Sequence, residues 1–335
     1  MTKKIIFRAD GNSETGLGHL FRLFALIEIF KNEYDYVFVT KESTLMAVIP
    51  EKYNVDIIPN SVSYVEEPDW LTKHYPSNKC ILVLDGYQFN SNYQKKIKHS
   101  GYKLMYIDDL ADEHMYADLV VNHSPHARIE QYTRESYTEF AFGTAYAILR
   151  PSFLKKPILN KELESLNTAF VCFGGADKYN FTFKIVQELL NIAQVQVINV
   201  VVGSAYQHTE LFQIEKLNPK VRVFRNLNEQ SLYSLMNTCT FAIAPTSTII
   251  FELISVNMYL VSGYYVDNQK NAYYEFERRN AIKGIGDFHK YQYNYLNKHL
   301  SGLTVNDIQK QILSQKDLID GKQKSRFLTL MKKIN

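Results

Sequence analysis

Three places in the sequence set chemically capable residues directly after a run of strand-forming residues. The first is Arg8-Ala9-Asp10-Gly11-Asn12-Ser13-Glu14-Thr15-Gly16-Leu17-Gly18-His19-Leu20-Phe21-Arg22. Gly16 and Gly18 let the backbone approach a ligand closely. A helix predicted to start near His19 aims free amides at the same place, which favours anions. Histidine is the side chain suited to proton transfer near neutral pH, so His19 is the candidate base; capping or packing the helix is its structural alternative. The order G-x-x-x-x-G-x-G-H departs from the dinucleotide fingerprint, and no Gly-Lys-Ser/Thr follows as in a P-loop.

The second place is Gly174-Gly175-Ala176-Asp177, between the strand Phe170–Phe173 and a helix predicted from about Asn180. It suits a phosphate or a sugar edge, or is a plain turn. The third is Pro245-Thr246-Ser247-Thr248-Ile249-Ile250-Phe251-Glu252. Ser247 and Thr248 at a helix start can hold a diphosphate. Glu252, the single charge between Phe241 and Val266, is placed to accept both hydroxyls of a ribose or to complete a capping box with an upstream Thr or Ser. Weaker signals follow two other strands. Asp85 and Tyr87 end CILVLDGY and are expected at the ligand edge, with a turn as the alternative for Asp85. Asp108 and Asp109 read as exposed turn carboxylates. Pro125 breaks the helix that would aim His123 and His126 at one metal, so neither a metal nor a cofactor is expected.

The elements that must position these residues follow one pattern. Short apolar strands (KIIFRA, YDYVFVT, NVDIIP, CILVLDGY, KLMYIDD, DLVVN) alternate with helical or loop stretches, and the pattern restarts at TAFVCFGG after a charged connector near residues 155–167. Continuous apolar strands spaced by helix-length segments indicate parallel sheets covered on both faces, with ligands beyond the strand C-terminal ends. The expected organisation is an N-terminal domain over 1–155, a C-terminal domain over 156–290 and a helical tail over 291–335. The 335 residues suit two domains, and 46% apolar content supports a sizeable core. A net charge of +3 gives no reason to expect a nucleic-acid partner. Three scattered cysteines suggest buried thiols in a reducing, cytoplasmic setting. The start MTKKIIFRAD lacks a signal-peptide core. Phe241–Val266 divides into strand, turn, helix and strand, so no membrane span is expected. Aromatic residues reach 13%, most of them inside predicted strands and helices, where they serve packing.

FRADGNSETGLGHLFR resembles the R-[AS]-D-x-S-x-x-x-G-x-G-H-x-x-R signature of the UDP-sugar hydrolases of pseudaminic acid biosynthesis, the PseG type, with one extra residue ahead of Ser13. Further matches are LDGY (Asp85–Tyr87), FGTAYAILRPSF (Phe142–Phe153), FGGAD (Phe173–Asp177) and TSTIIFE with the downstream Asp267-Asn268-Gln269. Together they cover roughly residues 3–285, and Gly86 stands where relatives can carry a histidine. The resemblance implies an α/β protein of GT-B type, two Rossmann-like domains whose parallel sheets face each other across a cleft, with UDP held mainly by the C-terminal domain. It also implies metal-independent hydrolysis of UDP-2,4-diacetamido-2,4,6-trideoxy-β-L-altropyranose to UDP and the free sugar. On that resemblance His19 and Tyr87 are catalytic, and Glu252 binds the ribose. The other expected substrate contacts are Arg8, Asp10, Gly16, Gly18, Arg22, Asp85, Gly174, Gly175, Asp177, Ser247, Thr248, Asn268 and Gln269. The competing expectations are a GT-B glycosyltransferase with an acceptor other than water and a non-catalytic nucleotide-sugar sensor.

Overall fold

The structure, a computed structural model, describes residues 3–12, 16–154 and 165–335; Ser13 of the N-terminal motif and residues 155–164 of the predicted connector lie outside them. The chain divides into two compact units, one made of Met1–Pro151 and Lys322–Asn335, the other of Ser152–Gly321.

In the first unit the order is β1 (Lys4–Arg8), α1 (Gly18–Phe30), β2 (Tyr36–Lys41), β3 (Val55–Ile58), α2 (Glu67–His74), β4 (Cys80–Asp85), α3 (Ser91–His99), β5 (Lys103–Ile107), β6 (His114–Met115), β7 (Leu119–Asn122), β8 (Thr133–Arg134) and β9 (Glu139–Phe142). Seven of these strands form one parallel sheet in the order β3-β2-β1-β4-β5-β7-β9, while β6 and β8 pair separately. The central strands are sealed on both faces: Ile5, Ile6 and Phe7 of β1 and Ile81 to Leu84 of β4 expose nothing. That is why their sequences are continuously apolar rather than alternating.

The second unit runs β10 (Thr168–Val171), α4 (Phe181–Leu190), β11 (Val197–Val202), α5 (Glu210–Leu217), β12 (Val221–Arg225), α6 (Glu229–Thr238), β13 (Phe241–Pro245), α7 (Ile249–Ser255), β14 (Tyr259–Tyr264), α8 (Lys270–Arg278), β15 (Lys283–Asp287), α9 (Tyr295–Ser301) and α10 (Val305–Lys316). Its six strands are parallel in the order β12-β11-β10-β13-β14-β15. Read from the edge, both sheets therefore begin 3-2-1-4-5, the doubly wound order. The stretch Phe241–Val266 resolves into β13, α7 and β14, and among the described residues no helix is long and apolar enough to cross a membrane.

The residues expected as one helical tail over 291–335 are helical but are shared between the units. The apolar faces of α9 and α10 complete the second core through Leu296, Leu300, Ile308 and Ile312. The last helix, α11 (Gln323–Ile334), belongs to the first unit instead, where it packs on α1 and sets Phe327 beside Tyr146. Cys80, Cys172 and Cys239 are buried free thiols, and burial raises the Cys80 thiol above its usual range. Many aromatic side chains pack against one another inside the units, as in Phe24 with Phe38 and Tyr53, or Phe173 with Phe181 and Phe288.

Two glutamines of α10 act as a substitute strand. Gln311 accepts from the Leu260 amide at 2.6 Å and donates to the Leu260 carbonyl at 3.2 Å, while the Gln315 amide donates to the carbonyls of Met258 and Ala281. Both side chains are buried, so nothing else could satisfy these backbone groups cheaply. Gln311→Ala is expected to lower the unfolding free energy by about 2–4 kcal/mol, since it strands a buried donor and a buried acceptor. Urea denaturation measures this, and a loss below roughly 0.5 kcal/mol would contradict it.

Candidate functional site

In the first unit β1 and β4 are neighbours, yet the chain leaves β1 toward β2 and leaves β4 toward β5. Such a reversal opens a crevice at the strand ends. Arg8 ends β1, Asp85 ends β4, and α1 brings His19 and Arg22 to the same place. Gly16 has φ +82, a conformation that suits glycine, and its amide donates to the Asn12 carbonyl at 3.0 Å, closing the loop that leads into α1. Gly18 opens the helix, and Leu17 before it supplies no side-chain cap.

His19 Nδ1 lies 2.7 Å from Asp85 Oδ1 and 2.8 Å from Arg22 Nη2. A carboxylate cannot donate, and Arg22 Nη2 already has Asp85 Oδ1 as acceptor at 2.7 Å. The arrangement is satisfied when Nδ1 carries the proton and donates to Asp85, which leaves Nε2 as the lone-pair nitrogen. Arg22 joins the rest: Nε donates to Asp85 Oδ2 at 2.8 Å and Nη1 to Asp109 Oδ2 at 2.9 Å. Tyr87, half exposed, sets its ring edge-on to His19 with centroids 4.8 Å apart and its hydroxyl 3.4 Å from Asp109 Oδ2. Sequence reading thus locates His19, Arg22, Asp85 and Tyr87, and the structure brings all four together.

Arg8 and Asp10 take a different position from the ligand contacts expected of them. Arg8 exposes nothing; it donates twice to Glu67, at 2.7 and 2.8 Å, and once to Asp10 at 2.5 Å. Tyr93 adds a bond to Glu67 at 2.6 Å. Asp10 accepts further bonds from the Lys41 amide at 2.7 Å, Tyr64 at 3.0 Å and Gln88 at 3.2 Å. Burial opposes the Asp10 carboxylate, but Arg8 and these donors hold it below the usual range. The pair is a strut that ties β1 to α2 and to the segment after β4.

Two residues that the sequence places elsewhere join the cluster. Asp109, expected as an exposed turn carboxylate, is held by Arg22 instead. Burial opposes its charge, but Arg22, with lesser help from His19 and His123, keeps it below the usual carboxylate range. His123, considered only as a metal partner for His126, is buried after β7, where Nδ1 accepts from the Ile148 amide at 3.2 Å. Burial, reinforced by Arg22, lowers it to about 4, against the pull of Asp109 and Asp85. The available signal was Arg22 itself: an arginine one turn after His19 on a largely apolar helix needs more than one acceptor. Among the described residues no group of three or more His, Cys, Asp or Glu is placed to hold a metal ion.

The second unit repeats the pattern at β10 and β13. Gly174, with φ +84, and Gly175 form an exposed turn after β10. A side chain at Gly203, just after β11, would collide with the Gly175 backbone, so the turn is braced from behind. Asp177 is redirected: its carboxylate accepts from the Phe181 amide at 3.0 Å and the Thr182 amide at 2.7 Å, so it caps α4 rather than facing a ligand. Ser247 and Thr248 are half-buried before α7, and Glu252 is buried one turn in. Thr248, at the start of α7, makes no side-chain cap. Asn268 is exposed, whereas Gln269 is buried and accepts from the Tyr265 amide at 3.1 Å.

No protein-family model matches the chain. It is 26% identical over 301 residues to an uncharacterised protein of Methanocaldococcus jannaschii, covering 82% of this chain and 58% of that protein's length. It is 24% identical over 275 residues to the UDP-2,4-diacetamido-2,4,6-trideoxy-β-L-altropyranose hydrolase of Campylobacter jejuni, covering 80% of this chain and 94% of the relative. The spore coat polysaccharide biosynthesis protein SpsG of Bacillus subtilis is 23% identical over 288 residues, with 83% and 82% covered. Among solved structures, the glycotransferase of kitacinnamycin superposes with a TM-score of 0.71 at 11% identity, and Acinetobacter baumannii MurG with 0.68 at 10% identity; in both cases 99% of each chain is covered. At such identities the solved structures establish the fold alone, and it is the GT-B fold, with two Rossmann-like domains. The PseG-type resemblance read from the motifs extends along four-fifths of the chain.

His123 generates a pH dependence with a definite sign. Folded, its ring stays neutral down to about pH 4; unfolded, it takes up a proton near 6.5. Between these values the unfolded state binds more protons, so this contribution is complete above about pH 6.5 and is lost as pH falls toward 4, at about 1.4 kcal/mol per unit. Urea titrations at pH 7 and pH 5 should therefore show a drop about 2 kcal/mol larger in the wild type than in His123→Gln. Equal drops in the two proteins would exclude this role.

Proposed function

We propose that this chain is an enzyme acting on a UDP-linked sugar, which it hydrolyses at the anomeric carbon with His19 as general base, the sugar being a 2,4-diacetamido-2,4,6-trideoxyhexose. The observation that carries the reading is the His19–Asp85 contact at 2.7 Å, which leaves Nε2 as the proton acceptor when Nδ1 carries the ring proton. Water attacks the anomeric carbon, the carbon–oxygen bond to the β-phosphate breaks, UDP leaves with the electron pair, and the water proton passes to Nε2. UDP is a good leaving group, so the work that remains is to activate water and to stabilise the diphosphate.

Asp85 and Asp109 against Arg22 leave one negative charge in surplus, which the imidazolium formed during reaction cancels. Tyr87, against the His19 ring, borders the reacting sugar in this reading.

The second unit is assigned the nucleotide. The exposed amides of Gly174 and Gly175 and the hydroxyls of Ser247 and Thr248 would stabilise charge developing on the diphosphate. Glu252 would accept the ribose hydroxyls, with Asn268 beside them. Support for the nucleotide comes from what the Campylobacter jejuni relative is named for. A transferase reading shares every residue here, since His19 could equally deprotonate an acceptor hydroxyl, and it draws on the glycosyltransferases that share the fold.

Incubation of the purified protein with UDP-diacetamido sugars and no acceptor should release UDP and free sugar, followed by mass spectrometry. Release that requires an added acceptor would select the transferase, and UDP binding without any turnover would select a sensor. His19→Ala should lower turnover by about 10²–10⁴-fold and leave UDP affinity, measured by calorimetry, unchanged. Full activity in that variant would reject the assigned base.

A further inference from the structure

One carboxylate oxygen at the first unit's site is left without a partner. Asp109 Oδ2 receives Arg22 at 2.9 Å and Tyr87 at 3.4 Å, but among the described residues Oδ1 is shielded from solvent and meets no hydrogen-bond donor. The side chain as a whole keeps 22% of its surface open. An ionised oxygen deprived of both water and a donor is costly, and Arg22 relieves only its twin. The neighbouring carboxylate of Asp85 shows the contrast: both of its oxygens are paired, through His19 and Arg22. The terminal torsion of an aspartate is soft, but a turn that brings the unpaired oxygen to the open side of the residue also moves the oxygen bonded to Arg22, so a bond from the ligand has to offset that displacement.

We propose that Asp109 is a specificity-determining residue that accepts a hydrogen bond from a neutral N–H or O–H donor on the sugar ring. This rests on the UDP-sugar reading above and sharpens it. The donor belongs to an uncharged part of the substrate, because the local surplus of negative charge repels a phosphate or carboxylate placed there. The same surplus makes the His19 cluster a place for the sugar rather than for the diphosphate. The 2,4-diacetamido-2,4,6-trideoxyhexose of the proposed reaction offers three such donors on its ring, the two acetamido N–H groups and the 3-hydroxyl.

The test uses the full chain and UDP-sugar analogues that lack each donor in turn, an ester replacing each amide and a deoxy position replacing the hydroxyl. In the wild type one analogue should lose about 10- to 100-fold in kcat/KM. In Asp109→Ala the natural substrate should lose a similar factor, and the penalty for that analogue should vanish, because the two changes remove one interaction. Asp109→Asn, closer in shape, serves as the second variant should the first unfold, and the affinity for UDP alone should not change in either. Penalties that add in full would overturn the proposal, as would a variant as active as the wild type. If the wild type turns over no UDP-sugar, the hydrolase reading fails on its own. The inference is then decided by calorimetry: Asp109→Ala must weaken UDP-sugar binding while sparing UDP, and equal affinities would reject it.

Discussion

Arg22 is the charge on which the N-terminal site depends. Its three donor groups reach two carboxylates, Asp85 at the end of β4 and Asp109 after β5, and one of the donors lies against His19. Without that guanidinium, the buried Asp85 and the partly buried Asp109 would both lose their arginine partner, and Asp85 is the group that holds the His19 ring. The parallel sheet serves this arrangement by delivering the ends of β1, β4 and β5 to one edge, within reach of a single helix.

A second ionic group, separate from the first, sets the backbone beneath it. Arg8, Asp10 and Glu67 are buried together and satisfy one another, and their bonds run to Lys41, Tyr64, Tyr93 and Gln88. A motif that opens on an arginine and an aspartate therefore contains two kinds of residue. His19 and Arg22 face the crevice, while Arg8 and Asp10 hold the strand and loop that put them there. Both kinds are charged, and only burial and partners separate them.

The parallel sheets and most of their strands are legible in the sequence because strands buried on both faces must be continuously apolar, as CILVLD and FAIAP are. Within the sites, His19, Tyr87 and Asp85 are legible because glycines and strand ends mark where a ligand can approach. Asp109 is not, since a carboxylate after a strand looks the same whether it meets water or an arginine brought from another element. Asp177 fails for a related reason: a carboxylate just before a helix suits a cap and a ligand contact equally well, and only the bonds to the Phe181 and Thr182 amides distinguish them. The tail is the largest difference. Its helices are readable from spacing, but the unit each joins depends on contacts that no local pattern records.

The return of α11 to the first unit has a consequence for how the chain comes to be folded. Phe327 and Met331 are fully buried there, against elements that include α1, the helix bearing His19 and Arg22. During synthesis the residues of β1 and α1 emerge before the second unit, yet the helix that covers α1 emerges after it. The usual order of N-terminal domain first is thus inverted: the second unit can close on its own residues, while the first waits for α11.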